Sequence, residues 1–320
     1  MSFAKIVGTG SYLPRKILTN ADLEKMVETS HEWIFERTGI VQRHIVADGE
    51  TTSSMALLAS QQALRNAGMD ASELDLIIVA TITPDQVMPS VACMLQHQLG
   101  ARSIPAFDLG AACAGFIYAL ATAQQFIEAG TVKTALVVGA ETMSAILDWS
   151  DRATCVLFGD GAGAVILQAA DTPGIRCCRL YADGQSANLL AVGSGLPGYR
   201  QQTIPPYVHM EGREVFKFAV NSLGDLAMNI LTESHMTVAE IDWLIPHQAN
   251  IRIIQAVAKK LNYSMDRVVV TVGQHGNTSS ASIPLALHAG ITAGGIKPGQ
   301  NLLMEAFGGG IAWGAVLMTL

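Results

Sequence analysis

The chain contains few charged residues and no long run of apolar ones. Of its 320 residues, 15% are charged and 50% are hydrophobic, with a mean hydropathy of +0.32. This composition can fill a large core and is too apolar for a disordered protein. No stretch of about 18 uncharged apolar residues occurs, so we expect no transmembrane helix. The length indicates roughly two domains.

Metal-binding cysteine motifs and a basic surface are also missing. The five cysteines are odd in number and show no C-x-x-C spacing, and the neighbours Cys177 and Cys178 are poorly placed to bridge each other. We therefore expect reduced thiols and no metal site. The net charge of −7 disfavours general nucleic-acid binding. The first residues lack a basic segment followed by a long apolar run, so we expect a cytoplasmic protein without a secretory signal.

Short β-rich runs alternate with helical stretches, which predicts an α/β fold with buried strands. The predicted strands are 75–82, 134–140, 163–168, 242–246, 267–272 and 314–320. The predicted helices are 52–68, 114–130, 213–234, 250–262 and 280–295. Pro284 should lie in the first turn of the last helix or bend it, because proline breaks a helix interior.

The sequence also contains an internal repeat. "MDASELDLII" (69–78) resembles "MTVAEIDWLI" (236–245), and "FGDGAGAVIL" (158–167) resembles "FGGGIAWGAVLM" (307–318). Similarity at half the chain length predicts two related halves, not a solenoid. We place them at 1–172 and 173–320. The irregular Gly- and Pro-rich segment 184–212 is long enough to indicate a functional loop.

One cysteine stands among the smallest side chains, in "DLGAACAGFIYAL" (108–120). Two explanations of Cys113 are open: close packing of a helix against a sheet, or a reactive thiol at a helix N-terminus, where the helix dipole favours thiolate. An offset of 164 residues places Cys113 opposite Asn277, so the repeat predicts that the two meet. His247 follows a predicted strand end, where α/β sheets place ligand-binding groups, although a structural imidazole is the alternative.

Four motifs together resemble one enzyme family. "AACAGF", "PHQANIRI", "HGNTSSAS" and "EAFGGGIAWG", in this order and spacing, resemble β-ketoacyl-acyl carrier protein synthase III, the initiating condensing enzyme of bacterial fatty acid synthesis. The resemblance extends over the whole chain through "GTGSYLP", "HEWIFERTGI" and "LFGDGAGAV". It implies a thiolase-like fold of two pseudo-equivalent halves in a five-layered αβαβα arrangement, and a homodimer.

The resemblance also implies an activity. In such an enzyme Cys113 takes the acyl group of acyl-CoA as a thioester, which malonyl-acyl carrier protein then extends with loss of CO₂. His247 and Asn277 donate hydrogen bonds to the enolate oxygen, and the backbone N–H groups of Cys113 and Gly310 form the oxyanion hole. No metal or cofactor is needed, because acyl-CoA and the carrier's phosphopantetheine are substrates. His275 has no place in this triad and is interpreted as structural.

Further residues are implied to bind the substrates. Trp33, Arg37 and Arg152 match contacts to the adenine of CoA, while Gly212, Phe216 and Asn250 match the pantetheine tunnel. Because the chain is acidic overall, docking of the anionic carrier needs local cations, and the sequence offers two clusters on helices: Arg213 and Lys217, and Arg252, Lys259 and Lys260. Without the resemblance, we would interpret either cluster as a solvent-exposed helix face.

Met88 stands where some family members have an aromatic residue that reaches across the dimer and closes the acyl pocket. Because methionine is flexible, this departure means that longer or branched primers are not excluded. Acetyl-CoA is the first substrate we expect.

Competing interpretations come from the same fold and from a different class. A condensing enzyme of a secondary-metabolite pathway, such as a quinolone or polyketide starter enzyme, stays open. A non-catalytic carrier-binding subunit is disfavoured by the complete set of Cys113, His247 and Asn277. A thiolase is excluded because it uses a second cysteine as base deep in the C-terminal half, and every cysteine here lies at or before Cys178, at the start of that half. "GDGAGA" (159–164) is no dinucleotide fingerprint, because it precedes a strand.

Overall fold

The computed structural model describes residues 2–194 and 205–320. Its strands are β1 (Phe3–Tyr12), β2 (Lys16–Thr19), β3 (Gln42–Ile45), β4 (Leu76–Ala80), β5 (Ala106–Leu109), β6 (Thr134–Glu141), β7 (Gly161–Ala170), β8 (Ile175–Ala182), β9 (Leu190–Val192), β10 (Val208–Met210), β11 (Trp243–Pro246), β12 (Asn301–Gly308) and β13 (Ala312–Thr319). Its helices are α1 (Asn20–Leu23), α2 (His31–Thr38), α3 (Thr52–Ala67), α4 (Val91–Gln98), α5 (Gly115–Glu128), α6 (Arg152–Cys155), α7 (Gly212–Glu233), α8 (Ile251–Lys260), α9 (Val272–His275) and α10 (Ser282–Thr292).

Two sheets with the same strand arrangement form the centre of the molecule. The first has the order β1-β7-β6-β4-β5 and the second the order β8-β13-β12-β11. In each, the first three strands pair antiparallel and the next pair is parallel. The internal repeat of the sequence is therefore a repeat of topology. The boundary at 172 lies between β7 and β8, and the division of the chain into two domains there stays a prediction.

The strand predicted over 267–272 is wrong. Only an isolated parallel bridge between Leu244 and Val268 extends the second sheet at that edge. The Gln248 side-chain oxygen accepts the N–H groups of Thr271 and Val272, at 2.7 and 3.1 Å, and α9 begins there. A buried side chain thus takes the backbone donors that a strand would have used.

Helices cover and separate the sheets to give five layers. α3 and α4 pack on the outer face of the first sheet, α5 and α10 lie between the sheets, and α7 and α8 pack on the outer face of the second. The middle layer packs against both sheets mainly through buried apolar residues such as Phe116, Leu120 and Leu287. The αβαβα arrangement is confirmed. Among the described residues, no helix combines the length and apolarity that crossing a membrane requires.

The two middle-layer helices begin in the same unusual way. Each follows a 3-10 turn, over 112–114 before α5 and over 279–281 before α10, and the first residue of each turn has a positive φ, 45° at Ala112 and 49° at Ser279. The helix starts are thus 167 residues apart, so Cys113 corresponds to Ser280 and not to Asn277. The offset of 164 holds only at the helix ends, since α10 has 11 residues and α5 has 14.

We predict that Gly163→Ala destabilises the fold. A Cβ on Gly163 would lie 2.7 Å from the N of Leu285 and from the Cβ of Pro284, so α10 would have to move off β7. Overpacking of this kind costs about 1–3 kcal/mol of unfolding free energy, measurable by urea denaturation. Gly184→Ala is the matched control, because nothing lies within 4 Å of the added methyl there. Equal stability of the two variants would contradict this packing.

Candidate active site

Three polar side chains meet where the middle-layer helices begin. Cys113 lies in the turn before α5, His247 directly follows β11, and Asn277 lies between α9 and the turn before α10. All three line one cavity of about 530 Å³, and their exposed fractions are 6%, 3% and 6%. This arrangement agrees with the sequence-based expectation that the three side chains lie close together. Their chemical roles stay predictions.

The Cys113 thiol is protonated near neutral pH. Burial raises the pKa of the Cys113 thiol to about 12, although hydrogen bonds from the Ser279 side chain and from the backbone N–H of Cys113 itself act to lower that pKa. Burial therefore opposes the thiolate that a helix N-terminus favours, because desolvation disfavours the charged sulfur. The expectation of a thiolate stays a prediction.

His247 is a neutral imidazole whose orientation is fixed. Burial lowers the pKa of His247 to about 3, so the ring carries one N–H at neutral pH. Its Nδ1 lies 2.6 Å from Oγ of Ser282, and the ring packs edge-on against Phe307 with centroids 5.9 Å apart. A Ser282 hydroxyl that donates to Nδ1 leaves the proton on Nε2. Ser282 was not selected from the sequence, where its only signal is the run of serines in "HGNTSSAS".

The Asn277 amide is also oriented by its neighbours. Its Oδ1 accepts the backbone N–H of Ser279 at 2.9 Å, which leaves the NH₂ group as a donor. Its backbone N–H donates to the carbonyl of Leu157 at 2.9 Å, and its carbonyl accepts the N–H of Gly159 at 3.0 Å. The site therefore contains two oriented neutral donors, on His247 and Asn277.

Cys113 also lines a second cavity, of about 850 Å³, with mainly apolar walls that include Ile82, Met143, Ile146, Phe158, Leu190 and Val208. Gly310 lines the same cavity, at a φ of 131° that favours glycine. A Cβ on Gly308 would lie 2.5 Å from the N of Cys113, so the end of β12 lies directly against this turn. The described ends of the 184–212 segment contribute to the wall; residues 195–204 lie outside the described residues.

The predicted CoA-binding residues lie at the first cavity. Trp33, Arg37, Gly212, Phe216 and Asn250 line it. Arg152 lies beside Trp33, with its guanidinium carbon 4.8 Å from the ring centroid; the distance for Arg37 is 4.7 Å. The two guanidinium groups and the indole form a cluster of flat surfaces next to the cavity.

The predicted docking cations do not all lie at this cavity. Arg213, Lys217 and Arg252 line it. Lys260 does not line it; its ammonium lies 2.7 Å from the Asp225 carboxylate and donates to the carbonyl of Asn221 at 3.0 Å. The ammonium of Lys217 is also paired, 2.9 Å from the Glu214 carboxylate. Lys259 is exposed at the opposite end of α8 from Arg252.

Met88 lies in the segment between β4 and α4 and is 82% exposed. Its neighbour Val87 is 76% exposed and lines the second cavity. Within the described ranges, no three His, Cys, Asp or Glu side chains are placed to hold a metal ion.

Comparisons with known proteins agree with the geometry. Residues 107–184 match the family described as 3-oxoacyl-[acyl-carrier-protein (ACP)] synthase III, and residues 231–320 match its C-terminal family. A β-ketoacyl-[acyl-carrier-protein] synthase III of Thioalkalivibrio sulfidiphilus is 56% identical over 320 residues, 99% of each chain.

Solved structures are similar over the full length. The 3-oxoacyl-[acyl-carrier-protein] synthase III of Aquifex aeolicus has a TM-score of 0.94 at 48% identity, covering 99% of this chain and 100% of that chain. The priming β-ketosynthase of a polyketide biosynthetic pathway has a TM-score of 0.95 at 36% identity, covering 99% and 96%. This chain therefore belongs to the 3-oxoacyl-[acyl-carrier-protein] synthase III family of condensing enzymes.

Proposed function

We propose that the protein condenses a short acyl-CoA with malonyl-acyl carrier protein, with loss of CO₂, and so initiates fatty acid elongation. The products are a 3-oxoacyl-acyl carrier protein, CoA and CO₂, and the intermediate is acyl-Cys113. The observation that carries this proposal is the position of Cys113 at the junction of two cavities, with His247 and Asn277 in the wall of the first.

In the first half-reaction the pantetheine arm of acyl-CoA occupies the first cavity and the acyl chain enters the second. The Cys113 sulfur attacks the thioester carbonyl, and CoA leaves as the thiolate. The backbone N–H groups of Cys113 and Gly310 stabilise the oxyanion, since both residues line the second cavity. Covalent capture divides a difficult condensation into two easier steps and predicts ping-pong kinetics.

In the second half-reaction malonyl-acyl carrier protein presents its thioester to the same site. Loss of CO₂ leaves an enolate, whose oxygen accepts hydrogen bonds from Nε2–H of His247 and from the Asn277 amide. A neutral imidazole held by Ser282 suits this role, because its N–H is already aimed before charge develops. The enolate carbon then attacks acyl-Cys113.

The cluster at Trp33 is proposed to hold the adenine of CoA. An indole and a guanidinium present flat faces that bind a purine on both sides. Because Arg37 and Arg152 already lie over the Trp33 ring, an entering adenine must displace one of them. Arg213, Lys217 and Arg252 then face the phosphates of CoA and the acidic surface of the carrier.

The protein is proposed to act as a cytoplasmic homodimer without a cofactor. β5 is an edge strand of the first sheet, so a second copy can pair with it. Met88 is exposed, and in the proposed dimer it closes the partner's acyl cavity. Acetyl-CoA is the first candidate primer. The volume of the second cavity and the likeness to a polyketide priming synthase favour one alternative, a starter enzyme that takes longer or branched primers.

An assay of the wild-type protein with acetyl-, isobutyryl- or octanoyl-CoA and malonyl-acyl carrier protein tests the proposed reaction and separates these two candidates. Product from acetyl-CoA supports the initiating enzyme, and a strong preference for octanoyl-CoA supports the alternative. Absence of 3-oxoacyl product with every primer would contradict both.

Alkylation of Cys113 should abolish condensation. Cys93 is exposed and would also react, so iodoacetamide is applied to Cys93→Ser protein. We expect mass spectrometry to locate one modification at Cys113 and the activity to fall with it, while prior acylation by acyl-CoA protects. Cys113→Ser in the same background should fold but transfer no acyl group from CoA. Condensation by that variant at the normal rate would exclude the covalent mechanism.

His247→Ala and Asn277→Ala should separate the two half-reactions. Acyl-Cys113 should still form, while CO₂ release from malonyl-acyl carrier protein should fall by about 10²–10³-fold, the usual effect of losing one donor to a developing oxyanion. His288→Ala is the control, since His288 is a buried imidazole that bonds Thr9 near another cavity. Loss of acylation with unchanged CO₂ release would contradict this division of roles.

Charge reversal at the mouth of the first cavity should weaken carrier binding. We expect Arg213→Glu to raise KM for malonyl-acyl carrier protein about tenfold at low salt, with a smaller effect at high salt, because screening weakens rim charges. Lys259→Glu makes the same change outside the cavity wall and should alter KM little. An equal effect of the two variants would place the carrier elsewhere.

A further inference from the structure

The proposed acyl transfer leaves one proton without an acceptor. Cys113 is protonated at rest, and its sulfur must lose that proton to attack a thioester. His247 is a poor acceptor in this structure, because burial lowers the pKa of its ring and so disfavours the imidazolium that would form. A different group must therefore take the proton of the thiol.

Ser279 connects the sulfur to a second ionisable group. Its side chain lies close enough to the Cys113 sulfur to act on the pKa of the thiol, and its Oγ donates to Oε1 of Glu141 at 3.2 Å. Ser279 and Cys113 both line the second cavity. The φ of 49° at Ser279 lies in the left-handed region, which non-glycine residues adopt at a cost and mostly where the surroundings enforce it. The hydroxyl is thus held between the thiol and a carboxyl group.

Glu141, at the end of β6, is fully buried and surrounded by hydrogen-bond donors. Its Oε2 accepts from Oγ1 of Thr81, N of Ile82 and Oγ1 of Thr83, at 3.2, 3.1 and 2.5 Å. Its Oε1 lies between the hydroxyls of Ser279 and Ser280. No ion pair involves Glu141 among the described residues.

The surroundings of Oε1 suit both protonation states of Glu141. Oγ of Ser280 lies 2.9 Å from Oε1 and 2.8 Å from the carbonyl of Ala80, but this hydroxyl has one proton. When Glu141 is ionised, Ser280 donates to Oε1. When Glu141 is protonated, Oε1–H donates to Ser280, whose own proton turns to Ala80. Burial also raises the pKa of Glu141, which makes this carboxylate a stronger base than an exposed one.

We propose that Glu141 accepts the proton of Cys113 through the hydroxyl of Ser279. In this relay the S–H bond breaks as Oγ of Ser279 takes the proton, and the Ser279 proton passes to Oε1 of Glu141. The sulfur electron pair forms the bond to the acyl carbon, and CoA leaves as a thiolate that solvent protonates. The inference rests on the proposed acyl transfer and identifies the base that accepts the thiol proton in that step.

The same relay runs in reverse in the second half-reaction. When the enolate attacks acyl-Cys113, the carbon–sulfur bond breaks and the sulfur leaves with the electron pair. Glu141 then returns its proton through Ser279, and both groups regain their resting states. Because the negative charge of Glu141 raises the pKa of the nearby thiol, the pair holds one negative charge at a time.

Two variants test the relay. Glu141→Gln keeps the shape and one acceptor oxygen, but replaces the other oxygen with an NH₂ group and removes the base. Ser279→Gly removes the hydroxyl at a φ that glycine tolerates. In single-turnover acylation of Cys113 by acetyl-CoA, followed by intact mass, we expect each variant to be about 10²-fold slower than wild type at neutral pH. Glu305→Gln is the matched control: Glu305 is fully buried, its side chain bonds none of these groups, and we expect the wild-type rate.

The pH profile distinguishes a proton acceptor from a structural carboxyl. In wild type the acylation rate should rise and level off once Glu141 is ionised. In Glu141→Gln it should rise about tenfold per pH unit throughout the neutral range, because an unaided thiol ionises far above it. Iodoacetamide alkylation of Cys113, in the Cys93→Ser background, should show the same two profiles.

Wild-type rates and a wild-type pH profile in both Glu141→Gln and Ser279→Gly would overturn the relay while leaving the acyl-Cys113 intermediate intact. Absence of acylation in wild type would instead refute the proposed function. Thermal melting checks the fold of each variant, and if Glu141→Gln does not fold, Ser279→Gly alone decides. Slow acylation with an unshifted pH profile would also overturn the relay, since it would show a structural role.

Discussion

A buried carboxyl group needs hydrogen-bond donors, and Glu141 takes its donors from two distant parts of the chain. Residues 81–83 follow β4 of the first sheet, while Ser279 and Ser280 form the turn before α10. Loss of a donor to a buried charged group costs about 1–3 kcal/mol or more, so the two segments are held together. The same turn donates the backbone N–H of Ser279 to the Asn277 amide oxygen and lies beside Cys113. The geometry of the site therefore depends on this single buried group.

In the resting site Cys113 and His247 are neutral, and the proposed relay places the one negative charge on Glu141, among its hydrogen-bond donors. Burial keeps the Cys113 thiol protonated and the His247 ring neutral, so neither needs a counter-ion inside the protein. The proposed relay moves charge between Glu141 and the Cys113 sulfur. The charge that develops on substrate oxygens meets N–H groups that are fixed beforehand by Ser282, by Ser279 and by the turn of Cys113. Fixed donors in a desolvated site stabilise such charge without reorganisation.

Sequence patterns predicted elements whose residues are apolar simply because the element is buried. The predicted strands at β4, β6, β7, β11 and β13 and the five long helices are present, with shifts of a few residues at their ends. β1 was not predicted, because Gly8 and Gly10 are typical of turns. In the structure they let α3 approach, since a Cβ at these positions would lie 2.4 and 2.1 Å from the carbonyls of Ala63 and Ala59.

Only the site residues that stand in recognisable motifs could be predicted from the sequence. Cys113, His247 and Asn277 stand in recognisable motifs, and the structure brings them together. The supporting residues carry no local signal, because Ser279 and Glu141 are 138 positions apart in the chain and meet only through the fold. The sequence grouped Lys260 with Arg252 and Lys259 on one helix but could not reveal its ion pair with Asp225, because spacing within one helix does not show a contact with another helix.

A crystal structure of the protein after reaction with an acyl-CoA tests the central claim most directly. We predict a thioester on Sγ of Cys113, with the acyl chain in the apolar cavity beside Gly310 and the CoA thiol in the cavity that His247 and Asn277 line. Acyl density on another residue, or CoA bound with its sulfur far from Cys113, would contradict the account.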